Sequence, residues 1–212
     1  PGHARLLPPQ NVTLLSKDFA MILTWDPGEG SAPDVTYTVR YESQDRLNRW
    51  MKVPGCKSIP RTFCNLTCDL SSFFVPVRAR VKAIWGRLQS PWVESQCKDY
   101  YSDVELAPPV LSLHVQEDFI HVSASFPLPT CVENLTWKYD LTLWEAGSAD
   151  KVSKSCSSWK KYEGQFRKDT VTINTTALRG NYCFSARALF ENTNTKHSEF
   201  SQPLCVLLNH KG

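Results

Sequence analysis

The residues best equipped for chemistry are eight cysteines: Cys56, Cys64, Cys68, Cys97, Cys131, Cys156, Cys183 and Cys205. An even set in a chain of 212 residues reads as a framework of four disulfides formed in an oxidising compartment. Spacing alone leaves on the order of 100 connectivities open. Zinc is the rival chemistry, but no Cys-x-x-Cys pair or matching pair of histidines completes a tetrahedral set around Cys64 and Cys68. Asn-x-Ser/Thr triplets at Asn11, Asn65, Asn134 and Asn174 offer acceptors for N-linked glycans, a modification of the same compartment. Catalytic chemistry finds no foothold. There is no Gly-x-Ser-x-Gly elbow, no glycine-rich phosphate loop and no His-Glu-x-x-His pair, and the five histidines are scattered. The expectation is a non-enzyme that needs no cofactor and no metal.

The elements that carry these residues follow a period of two. Thr36-Tyr37-Thr38-Val39-Arg40-Tyr41, Val77–Ala83 and Phe119–Phe126 all alternate polar with apolar, which turns one face of each strand to a core and the other to water. Frequent turn residues between such runs predict an all-β sandwich. The chain also repeats: Pro8-Pro9 returns as Pro108-Pro109, and Asp18-Phe19 as Asp118-Phe119. A repeat of about 100 residues is the size of one sandwich. Two tandem fibronectin type III-like domains are therefore expected, 1–104 and 105–212, with Ala107-Pro108-Pro109 as a stiff joint.

Composition narrows the function. Twenty-four basic against 21 acidic side chains leave a net charge of +3, too balanced for a nucleic-acid binder. No apolar run reaches the roughly 18 residues a membrane span requires, and Pro1-Gly2-His3-Ala4-Arg5 is no signal sequence. A trimmed extracellular portion, anchored through a segment not included, is expected.

Several stretches carry a family resemblance: Pro8–Leu14, Leu23-Thr24-Trp25, Ser90-Pro91-Trp92-Val93-Glu94-Ser95, Pro108–Leu111 and His197–Pro203. Together they resemble the extracellular region of class II cytokine receptors. Ser90–Ser95, Asp34–Tyr37 and Cys183–Arg187 are most similar to ligand-binding chains of lambda (type III) interferon receptors. The class I signature Trp-Ser-x-Trp-Ser is absent. The resemblance implies a single-pass type I cell-surface protein. It implies binding of a helical cytokine, a lambda interferon, at an elbow between the domains, with the interleukin-10 receptor beta chain as second receptor. Antiviral signalling would run through a Janus kinase (JAK-STAT) on a tail not included here. Alternatives on the same fold are a receptor or soluble binder for interleukin-22 or a relative, and an adhesion or protease-cofactor module like tissue factor.

Under that topology, Cys56–Cys64 would close a short loop, and Cys183–Cys205 would join the start of strand F to the end of strand G. Cys68 and Cys131 would meet at the elbow, a link the lambda receptor chain resembles in having. Cys97–Cys156 follows by topology and subtraction, the alternative being two free thiols. Candidate contacts are Leu70, Ser72, Phe73 and Phe74 in the E–F loop, since two adjacent aromatics cannot both enter one core. Lys17, Asp18 and Phe19 in A–B, and Arg46, Leu47, Arg49 and Trp50 in C–C′, extend the set. Val132 and Glu133 in B–C and Glu191, Asn192 and Asn194 in F–G complete it from the second domain. Trp92 with Arg78, Arg80 and Lys82 reads as a structural cation–π stack, with a glycosaminoglycan site as the lesser reading.

Overall fold

The computed structural model describes residues 6–70, 75–99, 101–132, 136–146, 160–162, 170–191 and 195–209. The chain divides into two compact units. The first runs through Glu105 and also takes in Leu128–Glu133; the second holds Leu106–Pro127 and the chain from Asn134 onward. Both are all-β sandwiches of the fibronectin type III kind.

The first unit contains β1 (Gln10–Lys17), β2 (Ala20–Asp26), β3 (Thr36–Ser43), β4 (Met51–Lys52), β5 (Phe63–Asn65), β6 (Val77–Trp85), β7 (Leu88–Gln89) and β8 (Val93–Glu94). One sheet has the order β1-β2-β5, the other β4-β3-β6-β7, with β8 also pairing with β6. Alternation decides what each strand buries. Met21, Leu23 and Trp25 of β2 face Tyr37, Val39 and Tyr41 of β3 and Val77, Ala79 and Val81 of β6, all buried. The Trp25 and Tyr37 rings meet at 5.4 Å. The β1–β2 hairpin closes with Lys17 opposite Ala20, so Asp18 and Phe19 form a two-residue turn, with φ of 50° and 63°. Such a turn matches the twist of the strands but is unfavourable for a bulky residue. Here the turn swings Phe19 inward until it is 0% exposed, against Tyr101 with ring centroids 6.3 Å apart. Phe19, expected as a contact residue, is therefore a core residue.

The second unit contains β9 (Val110–Val115), β10 (Phe119–Ser125), β11 (Thr136–Glu145), β12 (Lys160–Tyr162), β13 (Thr170–Asn174), β14 (Gly180–Glu191), β15 (Thr195–His197) and β16 (Leu204–Leu208). The sheets are β13-β10-β9 and β12-β11-β14-β15, with β16 also on β14. Ile120, Val122 and Ala124 on β10 bury against Tyr139, Leu141, Phe184 and Ala186, and Phe126 meets Phe190 edge-on at 5.3 Å.

The last strand of each unit is interrupted, and serine side chains repair the ladder. In the first unit the Ala83 N–H donates to Ser90 Oγ at 2.8 Å, and the Ala79 N–H to Ser95 Oγ at 3.0 Å. In the second, the Ala188 N–H donates to Ser198 Oγ at 2.9 Å and the Ala186 N–H to Ser201 Oγ at 3.0 Å. Each serine returns its own N–H to the carbonyl of the same alanine. The two stretches that carry much of the resemblance, Ser90–Ser95 and Ser198–Ser201, thus act alike. Both let the chain bulge while keeping buried amides satisfied. Ser201→Ala is expected to cost about 1–3 kcal/mol, the penalty for a buried donor left without an acceptor. Urea unfolding measures it; a loss under about 0.5 kcal/mol would show that water replaces the hydroxyl.

Cys56–Cys64, Cys68–Cys131 and Cys183–Cys205 are bonded. Cys131 lies in the segment that groups with the first unit, so Cys68–Cys131 closes within that unit. Cys97 is a free, exposed thiol, which corrects the expected Cys97–Cys156 bridge; Cys156 itself lies outside the described residues. Pairing by subtraction assumed that every thiol is used, and Cys97 instead lines an open surface cleft with Leu47, Pro76 and Arg78.

Candidate ligand-binding loops

One end of the first unit gathers several of the expected contact residues. Beyond β3 the chain makes a single 3-10 turn, Gln44–Arg46, in which Ser43 Oγ donates to Asp45 Oδ1 at 2.5 Å. Asn48, at φ 63°, donates its N–H to Glu42 Oε2 at 3.2 Å. A second 3-10 turn, Thr67–Asp69, is fixed by Thr67, whose Oγ1 accepts the Met21 N–H at 2.9 Å. Tyr41 links the two turns: its hydroxyl donates to the Asp69 carbonyl at 2.7 Å. Burial raises the Tyr41 pKa above its ordinary value; Asp69 and Asp45 add to this, while Arg46 opposes it. Arg46, Asp45 and Asp69 therefore act on one hydroxyl, a rigid polar base for the exposed side chains around it. Leu47 stands out at 66% exposed beside them. A loop leucine left in water on a rigid frame is a natural partner contact.

The other expected contacts divide. Lys17, Arg46 and Arg49 are exposed, and Asp18 and Leu70 are half-buried. Val132 is 6% exposed, so the segment held by Cys131 packs it inward and removes it from the candidate surface. Glu191 is exposed and pairs with Lys138 at 2.8 Å. Ser72, Phe73, Phe74, Glu133, Asn192 and Asn194 lie outside the described residues, as does the sequon residue Asn134. Asn11, Asn65 and Asn174 are exposed. In both Asn65 and Asn174 the side-chain carbonyl accepts from the N–H and the hydroxyl of the sequon threonine, Thr67 or Thr176. Asn11 instead donates through Nδ2 to Asp26 at 2.7 Å.

Trp50 has a different role from the one expected. It lies half-buried on the outer face of the β3–β6 sheet, as part of a stack of indoles and cations. The Arg80 guanidinium is sandwiched between Trp50, 4.1 Å from the ring centre, and Trp92, at 4.3 Å. Lys82 and Arg40 also approach Trp92, at 4.6 and 5.7 Å, and Arg78 covers Trp50 at 5.2 Å. Arg78 is further held by the buried Glu42 at 3.0 Å and by Glu94 at 3.2 Å. The structural stack expected at Trp92 is present, with Trp50 and Arg40 as members the sequence reading missed. The signal was there: Arg40 lies opposite Arg80 in register and so shares its face. Burial first, then the neighbouring Arg40, lowers the pKa of both Arg80 and Lys82. The second unit has a smaller version, with Arg187 on Phe200 at 5.0 Å and bonded to Asp140 at 3.1 Å.

Among the described residues no group of carboxylates, histidines and cysteines is able to hold a metal. A family pattern described as "Tissue factor" matches residues 1–92. One described as "Interferon-alpha/beta receptor, fibronectin type III" matches residues 104–209, half of the chain. The chain belongs to the class II cytokine receptor family, whose members are receptors and not enzymes. Within that class it is similar over its whole length to interferon lambda receptor 1. It is 60% identical over 210 residues to that protein of Gallus gallus, covering 99% of this chain and 36% of the relative. It is 37% identical over 212 residues to that of Mus musculus, covering 100% of this chain and 38% of the relative. Interleukin-20 receptor subunit alpha of Homo sapiens is 35% identical over 120 residues, 56% of this chain and 22% of that protein. The chain thus spans little more than a third of the lambda receptor relatives it matches. In fold it matches the crystal structure of the selenomethionine-substituted chicken interferon gamma receptor alpha chain, with a TM-score of 0.79 at 20% identity over 96% of this chain and 98% of that one.

Proposed function

We propose that this chain is the extracellular ligand-binding region of a type III interferon receptor. It binds a lambda interferon, a helical cytokine, and forms a signalling complex with the interleukin-10 receptor beta chain as shared second receptor. A Janus kinase would act on the cytoplasmic part of the whole single-pass protein. The observation that carries this reading is the likeness to interferon lambda receptor 1 along 99% of the chain. The exposed Leu47, next to Arg46 in the chain, supports contact through the loops of the first unit, with Leu70, Phe73 and Phe74 of the loop before β6 as further candidates. Glu191 and the residues after it are further candidates on the second unit. Asn65 and Asn174, whose carbonyls are engaged locally, are the favoured glycan sites. The second reading is a receptor for an interleukin-20 or interleukin-22 relative. It draws on the matches to interleukin-20 receptor subunit alpha and to human interleukin-22 receptor subunit alpha-1, 36% identical over 75 residues.

Surface-plasmon binding of the purified chain to lambda interferons and other interleukin-10-family cytokines tests the reading. Selective lambda binding is expected. Leu47→Asp, and separately Phe73→Ala/Phe74→Ala, are each expected to weaken it by about 2 kcal/mol, the scale of an interface hot spot, with an unchanged melting temperature. Binding to interleukin-22 alone would replace this reading with the second. Lambda binding indifferent to both variants would keep the ligand and move the site.

A further inference from the structure

The outer face of the β3–β6 sheet is electrically lopsided. At one end Glu42 and Glu94 neutralise Arg78. At the other a cavity of about 500 Å³ opens between β3, β4 and β6, and its cationic walls are Arg40, Lys52, Lys57 and Lys82, with no carboxylate among its lining residues. Register places Lys52 directly opposite Arg40, and Arg40 directly opposite Arg80. Three cations side by side across three strands repel one another, which costs stability. The indoles, and Glu94 opposite it in register, offset this for Arg80, but among the described residues neither Lys52 nor Lys57 has a carboxylate within ion-pair reach. The Nε of Arg40 is buried with no hydrogen-bond acceptor. Among the described residues Lys82 has neutral partners only, Gln89 Oε1 at 2.9 Å and the Trp92 ring at 4.6 Å. Lys52 and Lys57 are exposed at the mouth, while Arg40 and Lys82 are half-buried. This is a graded positive pocket of ligand size, two of whose cations, Arg40 and Lys82, also lie against the Trp92 ring.

We propose that this cavity docks the sulfate groups of an extracellular glycosaminoglycan chain. The family is one of cell-surface receptors, and the abundant polymeric anions outside the cell are sulfated polysaccharides. A sulfate stays charged at every physiological pH and offers oxygens for charge-assisted hydrogen bonds from several cations at once. Burial first, and then Arg40 and Arg80, lower the Lys82 pKa; an arriving anion would counter the repulsion from the two arginines. The cavity lies by Thr38 of β3 and Ile84 of β6, whereas Leu47 follows the opposite end of β3, so receptor chains could be concentrated on a polysaccharide without using the proposed cytokine loops.

Heparin is the probe. The purified chain, passed over immobilised heparin at about 0.15 M salt, is expected to bind, and binding should weaken as salt screens the charges. Lys52→Ala/Lys57→Ala removes only exposed side chains, so the fold is retained, and heparin affinity should fall at least about tenfold. Lys160→Ala/Lys161→Ala, which removes the other basic pair, should leave it unchanged, and de-sulfated heparin should not bind. Cytokine binding by the Lys52/Lys57 variant, measured in parallel, should equal that of the unaltered chain, so the outcome is separate from the ligand assignment. No retention on heparin, loss only in the Lys160/Lys161 variant, or binding to anionic lipid vesicles but not to heparin would each overturn the proposal.

Discussion

Phe19→Ala is expected to destabilise the first unit by about 3–5 kcal/mol, the cost of deleting a buried phenylalanine side chain. The ring is 0% exposed, so its full volume would become a void between the A–B turn and Tyr101. Relaxation could close part of that void, but the turn is pinned: Asp18 donates its N–H to the Glu105 carbonyl at 2.8 Å, and Glu105 donates back to Ser16 at 2.9 Å. The backbone supplies an internal control. Phe19 has a positive φ, which glycine adopts freely, so Phe19→Gly removes the same ring while easing the turn. If burial dominates, both variants fall by several kcal/mol, with glycine the milder. Urea unfolding reads the difference. A small loss of stability together with a large loss of cytokine affinity would return Phe19 to the binding surface.

Cys68→Ser/Cys131→Ser should cost about 4 kcal/mol, and Cys56→Ser/Cys64→Ser about 2.5 kcal/mol, if loop closure in the unfolded chain sets the scale. The bridges span 63 and 8 residues respectively. The order is the sharper test, since strain and residual structure alter both figures but a reversal would discard the entropic account. The larger bridge has a local effect as well. It holds Leu128–Val132 on the first unit, where Val132 buries its side chain. Limited proteolysis of the variant should therefore cut first in that segment, before the strands on either side. Uniform cleavage across the chain would show that the bridge supports the unit as a whole.

Much of the fold was legible because its strands obey a single rule. β6 alternates strictly from Val77 to Ala83, the run read from the sequence, and the observed strand, Val77–Trp85, contains it. The pair Cys183–Cys205 followed from strand order, and the two residues stand opposite each other in register. What escaped depends on interactions between distant segments. Asp18-Phe19 and Asp118-Phe119 are the same dipeptide one hundred residues apart, yet Phe19 is in the core and Phe119 is 42% exposed. The first hairpin turns at Asp18-Phe19, whereas in the second the Gln116 N–H donates to the Phe119 carbonyl at 2.7 Å, so the turn falls one residue earlier, on Glu117-Asp118; the second phenylalanine therefore sits on a strand, opposite Asn174, and not in a turn. Trp50 read as a loop aromatic because its partners, Arg78 and Arg80, come from a strand almost thirty residues away. The interruption of the last strand rests on what Ser90 and Pro91 do together: proline cannot donate to the ladder, and the serine hydroxyl makes the detour affordable.

That detour also governs how the molecule behaves when crowded. A sheet ends in a row of unpaired amides and carbonyls that invites a neighbouring molecule to add a strand. At this edge of the first unit the paired runs are only two residues each, Leu88–Gln89 and Val93–Glu94, with Ser90-Pro91-Trp92 between them. The inner strand's spare amides are already taken by serine oxygens. A second copy finds no continuous template there, so the border resists intermolecular polymerisation.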